Sequence, residues 1–228
     1  MAHEAMNNGR NAAILGNSCL FIEDGTNRLV EITTQGARNY LTASGLGVST
    51  FEVDDKENEI YILYDKGIVE KHKKKVQTKL AGGEYWDSIL LLEYTIIVSG
   101  WHKTGNHLIF KILDRTSLKE RSESKLKQSS NSNTRLDALD WWPHSVMEMH
   151  PLKKKSITYI LCRQPFYNVI LLALFRNKLY HIETKLVSHG LLNSVATLDE
   201  DSWEYFASQD GGIPFKISLA IKDEDELS

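Results

Sequence analysis

Cysteines, long apolar runs and an excess of either charge are all scarce in this chain of 228 residues, and each scarcity excludes a class of protein. Only two cysteines occur, Cys19 and Cys162, far apart in sequence. Small secreted scaffolds carry many more, so a reducing compartment, cytosol or nucleus, is expected. No apolar stretch approaches the roughly 18 residues of a membrane helix. The densest, residues 169–175, is long enough for a strand and too short for a bilayer. The first eleven residues, MAHEAMNNGRN, are polar and lack the apolar core of a signal peptide. With 27 basic and 30 acidic residues the net charge is -3. That balance excludes a strongly basic nucleic-acid coat and a solvating acidic chain.

Catalytic signatures are missing as well. The sequence has no HExxH or CxxC metal pattern, no GxSxG nucleophile elbow, no phosphate-binding GxxxxGK and no GxGxxG. The glycine-rich GLGVS at residues 45–49 precedes a strand, whereas a phosphate site needs a helix N-terminus. His102 and His107 flank one hairpin turn, and His144 and His150 fall on one face if the segment between them is a strand. Neither pair has a third ligand beside it. No enzyme activity, cofactor or metal is expected.

What the sequence does contain is a repeated unit. Residues 48–72 (VSTFEVDDKENEIYILYDKGIVEKH) and 195–217 (VATLDEDSWEYFASQDGGIPFKI) share a strand, an acidic turn, an aromatic and β-branched strand, an Asp-x-Gly turn and a strand beginning with Ile. Aspartate bonds its own backbone in such turns, and glycine accepts positive φ. Turns centred near positions 24, 65, 104, 165 and 210 give gaps of 41, 39, 61 and 45 residues. The long gap holds the polar stretch 117–134, which is expected to be an insertion. Strands such as residues 59–64 (EIYILY) are apolar on both alternating faces, so each small sheet needs a neighbour on either side.

A period near 40 built of short strands resembles the WD40-type β-propeller. The segment FASQDGGIPFKI, residues 206–217, is similar to that family's ASGSxDGxIxxW strand-turn-strand, with Ile217 standing near the position of the family's Trp. The pattern covers most of residues 12–220. It departs from the family in that no unit ends in Trp-Asp and no Gly-His dipeptide occurs; the one Trp-Asp, at residues 86–87, opens a strand instead. The fold expectation is therefore all-β and propeller-like, with about five units of short antiparallel strands. An all-β sandwich or barrel is the competing architecture. Residues 1–11 and the acidic 221–228 are expected to be tails. By the four-strand template the first unit should lack its inner strand and the last its outer one, giving either a small closed ring or an open arc completed by another chain.

The resemblance implies a protein-protein interaction scaffold within a larger assembly, in cytoplasm or nucleus. Candidate contact residues are Trp101, His102 and Lys103 at a hairpin tip, and Trp141 and Trp142 after the polar stretch; packing of these tryptophans between sheets as core is the competing reading. A second candidate is the cluster Lys71, Lys73, Lys74, Lys75 and Lys79, which would suit an acidic partner or the phosphates of RNA. It lacks interleaved aromatics to stack bases. A nucleic-acid-associated, RNA-processing subunit is the alternative function.

Overall fold

The computed structural model describes residues 12–82, 85–102, 107–127, 146, 148–154, 156–164, 168–186, 192–199, 204–209 and 215–218. All regular structure there is β. The first sheet is a meander of β1 (Ala12–Leu15), β2 (Ser18–Glu23), β3 (Arg28–Thr33) and β4 (Arg38–Tyr40). The second holds β5 (Val48–Asp54), β6 (Glu59–Tyr64), β7 (Ile68–Lys71) and β8 (Val76–Lys79). The third holds β9 (Tyr85–Leu91), β10 (Thr95–His102), β11 (His107–Asp114) and β12 (Glu120–Lys127). The fourth holds β13 (Glu148–Lys154), β14 (Ile157–Arg163), β15 (Asn168–Phe175) and β16 (Lys178–Leu186). The fifth has β17 (Leu192–Asp199), β18 (Glu204–Gln209) and β19 (Phe215–Ser218). Every pairing is antiparallel.

All five turns expected from sequence fall at one topological position, between the second and third strands of a sheet. Chemistry explains the first two. Gly25 and Gly67 adopt φ of 79° and 71°, a region closed to most side chains. The turns near 104, 165 and 210 join the expected strands, although their own residues lie outside those described.

The sheets stack in sequence order through alternating faces. Along β6, Ile60, Ile62 and Tyr64 pack against Leu20, Ile22 and Leu29 of the first sheet. Its other face sends Tyr61 and Leu63 against Trp86, Ile96 and Val98 of the third. In β10, Ile97 turns the opposite way and meets Ile160 and Ile170 of the fourth sheet. A period of two thus delivers alternate residues to two different cores, which is why these strands show no polar face. The first strands, β1, β5, β9 and β13, touch one another in succession and form the inner edge of the stack. Among the described residues the strands do not close into a ring.

Two expectations need correction. The first sheet has all four strands, because the short AAIL segment pairs as β1 from Ala12↔Phe21 to Leu15↔Ser18. The polar stretch 117–134 is also not wholly an insertion, since residues 120–127 form β12, the outer strand of the third sheet. Its polarity has a structural cause. Lys111 of β11 is buried, and Glu120 of β12 accepts its ammonium at 3.0 Å, with Glu123 alongside. An outer strand that must satisfy a buried cation reads like a loop. The remainder of that stretch, 128–134, lies outside the described residues.

Candidate functional site

Meander topology divides the turns between two rims. Turns between second and third strands, and the links from one sheet to the next, lie on what we call the upper rim. Turns between first and second, and between third and fourth strands, lie on the lower rim. Backbone bonds tie each rim together. Val48 N–H donates to Asn27 at 2.8 Å and Asp65 N–H to Gly47 at 3.0 Å on the upper rim. Thr34 N–H donates to Asn17 at 3.2 Å on the lower.

The lysine cluster is split by this division. β7 descends to the lower rim and β8 returns, so Lys73, Lys74 and Lys75 sit in the lower turn while Lys79 reaches the upper rim. There Lys79 donates to the Lys66 carbonyl. Lys71 does not belong to a surface patch at all: it is 2% exposed. Its ammonium lies 5.0 Å from the centroid of the Tyr61 ring and 3.2 Å from the Glu57 carboxylate. Burying the aliphatic stem against the sheet while satisfying the charge locally explains the placement. Around the turn, Lys73 donates to Asn58 at 2.7 Å and Lys74 stands 3.8 Å from Glu57. Part of the positive charge there is therefore already matched.

Two of the candidates, Trp101 and His102, lie at the upper end of the third sheet. Trp101 does not stand out to solvent: it is 6% exposed, because Tyr85 of the neighbouring strand covers it. The two rings stack with centroids 5.8 Å apart and planes 20° off parallel. Tyr85 itself is 48% exposed and was missed by the sequence reading. The only signal was the register Tyr85↔Trp101, which requires knowing a bulge at Asp87. His102 and His107 do meet across the hairpin, with rings 5.1 Å apart and 5° from parallel. Lys103, Trp141, Trp142 and His144 lie outside the described residues. Among the described residues no three His, Cys, Asp or Glu side chains come together as metal ligands.

Two ionisable groups line the inner edge near this rim. Glu148, on β13, accepts from Arg163 Nε at 3.1 Å and lies 3.3 Å from His150 Nε2. Burial alone would raise its pKa, but His150 and Arg163 override that and hold it below the usual range. Asp87 is different. It occupies the β9 bulge, where register shifts between Ser99 and Gly100. One carboxylate oxygen is buried without a hydrogen-bond partner. Burial pushes its pKa from 3.8 up to about 7. A raised carboxyl pKa means the folded chain binds more protons than the unfolded one between those values. Stability is thus expected to fall as pH rises from about 4 to about 7, and the penalty is complete above 7. Asp87→Asn should stabilise the chain at pH 8 by about 1–3 kcal/mol and remove most of this slope. Thermal melts from pH 4.5 to 8.5 measure it; an unchanged slope would show that another group is responsible.

Likeness to solved structures now settles the architecture. The WD40 β-propeller domain of Doa1 superposes with a TM-score of 0.56 at 11% identity, over 90% of this chain and 63% of that one. The fold is a β-propeller. A streptogramin B lyase structure shows the same arrangement, with a TM-score of 0.54 at 8% identity, over 92% of this chain and 68% of that one. This chain thus spans less than two thirds of the WD40 domain it matches, as an arc of propeller sheets. No protein-family model and no curated protein matches the sequence. At these identities the likeness concerns the propeller fold, and the activity of either neighbour stays with that neighbour.

Proposed function

We propose that this propeller is a non-catalytic protein-interaction scaffold, a subunit of a larger assembly in cytoplasm or nucleus. The upper rim around Tyr85 and His102 would be its contact point. The observation that supports this reading is the stacked pair Tyr85–Trp101. One ring is half exposed, and the other is buried beneath it. A contact group held this way loses little entropy when a partner covers it. The stacked His102–His107 pair beside it adds polar ring edges. The WD40 likeness is in keeping with such a role. Lys103, Trp141 and Trp142 remain proposed contributors from the same notion of an aromatic and basic rim.

Affinity capture with the tagged chain and with Tyr85→Ala/His102→Ala tests the reading. Proteins recovered specifically with the wild type should drop at least about tenfold with the variant, the usual scale for an aromatic hot spot. Truncating Tyr85 uncovers Trp101, so a fall in melting temperature of a few degrees is expected, and an unchanged β-sheet circular dichroism spectrum shows that the variant is folded. Equal recovery with both chains would refute the assignment of the rim. Salt-sensitive RNA binding lost in Lys73→Glu/Lys74→Glu/Lys75→Glu would instead favour the nucleic-acid alternative.

A further inference from the structure

The charge of Asp87 has no counterpart in its own chain. Asp87 is the extra residue of the β9 bulge, opposite the step from Ser99 to Gly100, and β9 is the inner strand of the third sheet. Its Oδ2 is buried without a hydrogen-bond partner, and among the described residues no ion pair reaches the carboxylate. Burial alone shifts its pKa, with no charged side chain contributing. The residue as a whole stays partly exposed. The strands packed beside it bring no cation. β10 has no lysine or arginine, and the charged groups of β5 are Glu52 and Asp54. At the upper end of β13 stands Glu148, engaged by Arg163 and His150, while Lys153 lies toward the lower end beside Glu93. A buried carboxylate without a cation is half of an ion pair, and it costs stability until the other half arrives.

An aromatic face lies within reach of the same ligand. Tyr85 is two residues earlier on the strand, about 7 Å along it. Its ring is half exposed and stacked on Trp101. A carboxylate and a ring spaced in this way suit a guanidinium, which bonds a carboxylate through two N–H groups and stacks on an aromatic face. An ammonium suits them less, because it is more strongly hydrated and lacks the planar fork. We infer that the upper rim takes an arginine side chain of its protein partner, with Asp87 as the counter-ion and Tyr85 as the ring beside it. The inference rests on the reading of this rim as the contact surface, and it adds the chemistry that the partner must present.

Titration of the isotope-labelled full chain with N-acetyl-arginine amide at pH 8, followed by NMR, tests this. The citrulline analogue has nearly the same shape without the charge and serves as the control. The arginine probe should move the amide signals of residues 85–87 with a dissociation constant on the order of 1–10 mM. Binding should weaken at least about tenfold with the citrulline probe, and equally with Asp87→Asn. Asp87→Asn keeps the shape of the side chain and removes an unpaired charge, so its melting temperature should not fall. Equal binding by the asparagine variant, or of the citrulline probe, would overturn the inference. So would arginine-induced shifts that leave residues 85–87 unmoved. Protein capture separates this from the reading of the rim itself. Capture lost with Tyr85→Ala/His102→Ala and kept with Asp87→Asn would leave the rim in place and overturn the arginine site.

Discussion

Replacing Arg115 with methionine is expected to destabilise the chain by about 3–5 kcal/mol, the scale of a broken buried ion pair. Arg115 sits in the lower turn between β11 and β12. It reaches back across the interface to the Asp54 carboxylate at the end of β5, and both groups are largely buried. The same guanidinium donates to the Leu92 carbonyl at 2.8 Å and lies 5.7 Å from the Tyr61 ring centroid. Methionine fills the space of the stem but leaves a carboxylate between two sheets without its cation. Asp54 cannot simply turn away, since its other oxygen accepts the backbone N–H of Lys56 at 3.1 Å. Arg115→Met/Asp54→Asn should recover part of the loss, because the uncompensated charge is gone. Thermal and denaturant melts measure all three variants, and a fall in the midpoint on the order of 10 °C is expected for Arg115→Met. A loss below about 1 kcal/mol would mean that the pair is solvated and does not join the sheets.

Gly100→Ala should cost about 2–4 kcal/mol for a steric reason. A Cβ built there would stand 2.6 Å from the Trp86 ring and 2.6 Å from the Tyr85 carbonyl oxygen. Real carbon contacts of that length do not occur, and the carbonyl belongs to the paired strand. Gly67 approaches the same indole from the second sheet, with a virtual Cβ 2.5 Å from Trp86 Nε1 and a φ of 71°. One tryptophan is thus held between glycines of two sheets. Gly100→Ala in a Trp86→Leu background should cost less than in the wild type, since the shared obstacle is smaller. Gly67→Ala should retain about 1 kcal/mol there from its backbone alone. Urea melts of the double-mutant cycles give both numbers. Additive losses would place the clash elsewhere.

The functional side chains were less legible than the strands. The facing of His102 and His107 followed from two residues flanking one turn. Trp101, two residues before that turn, was open to two readings, an exposed contact at the tip or a core residue packed between sheets. It is buried because Tyr85, sixteen positions earlier, folds over it after a bulge that no local pattern announces. Lys71 looked like one of a row of surface lysines. It lies inside because Tyr61 and Glu57, brought alongside by the hairpin register, accept its stem and its charge. β12 looked like an insertion because the cation it serves, Lys111, belongs to another strand.

What the sequence by itself determined was the repeat: where strands turn, which residues alternate, and that each sheet has two apolar faces. These follow from backbone rules acting over two to four neighbouring residues, glycine and aspartate at the turns and a period of two between them. Only the tertiary structure decided which polar groups go inside. Burial is fixed by the sheet that arrives from elsewhere in the chain. Arg115 finds Asp54 because the lower turn of the third sheet lies against the end of β5 in the second.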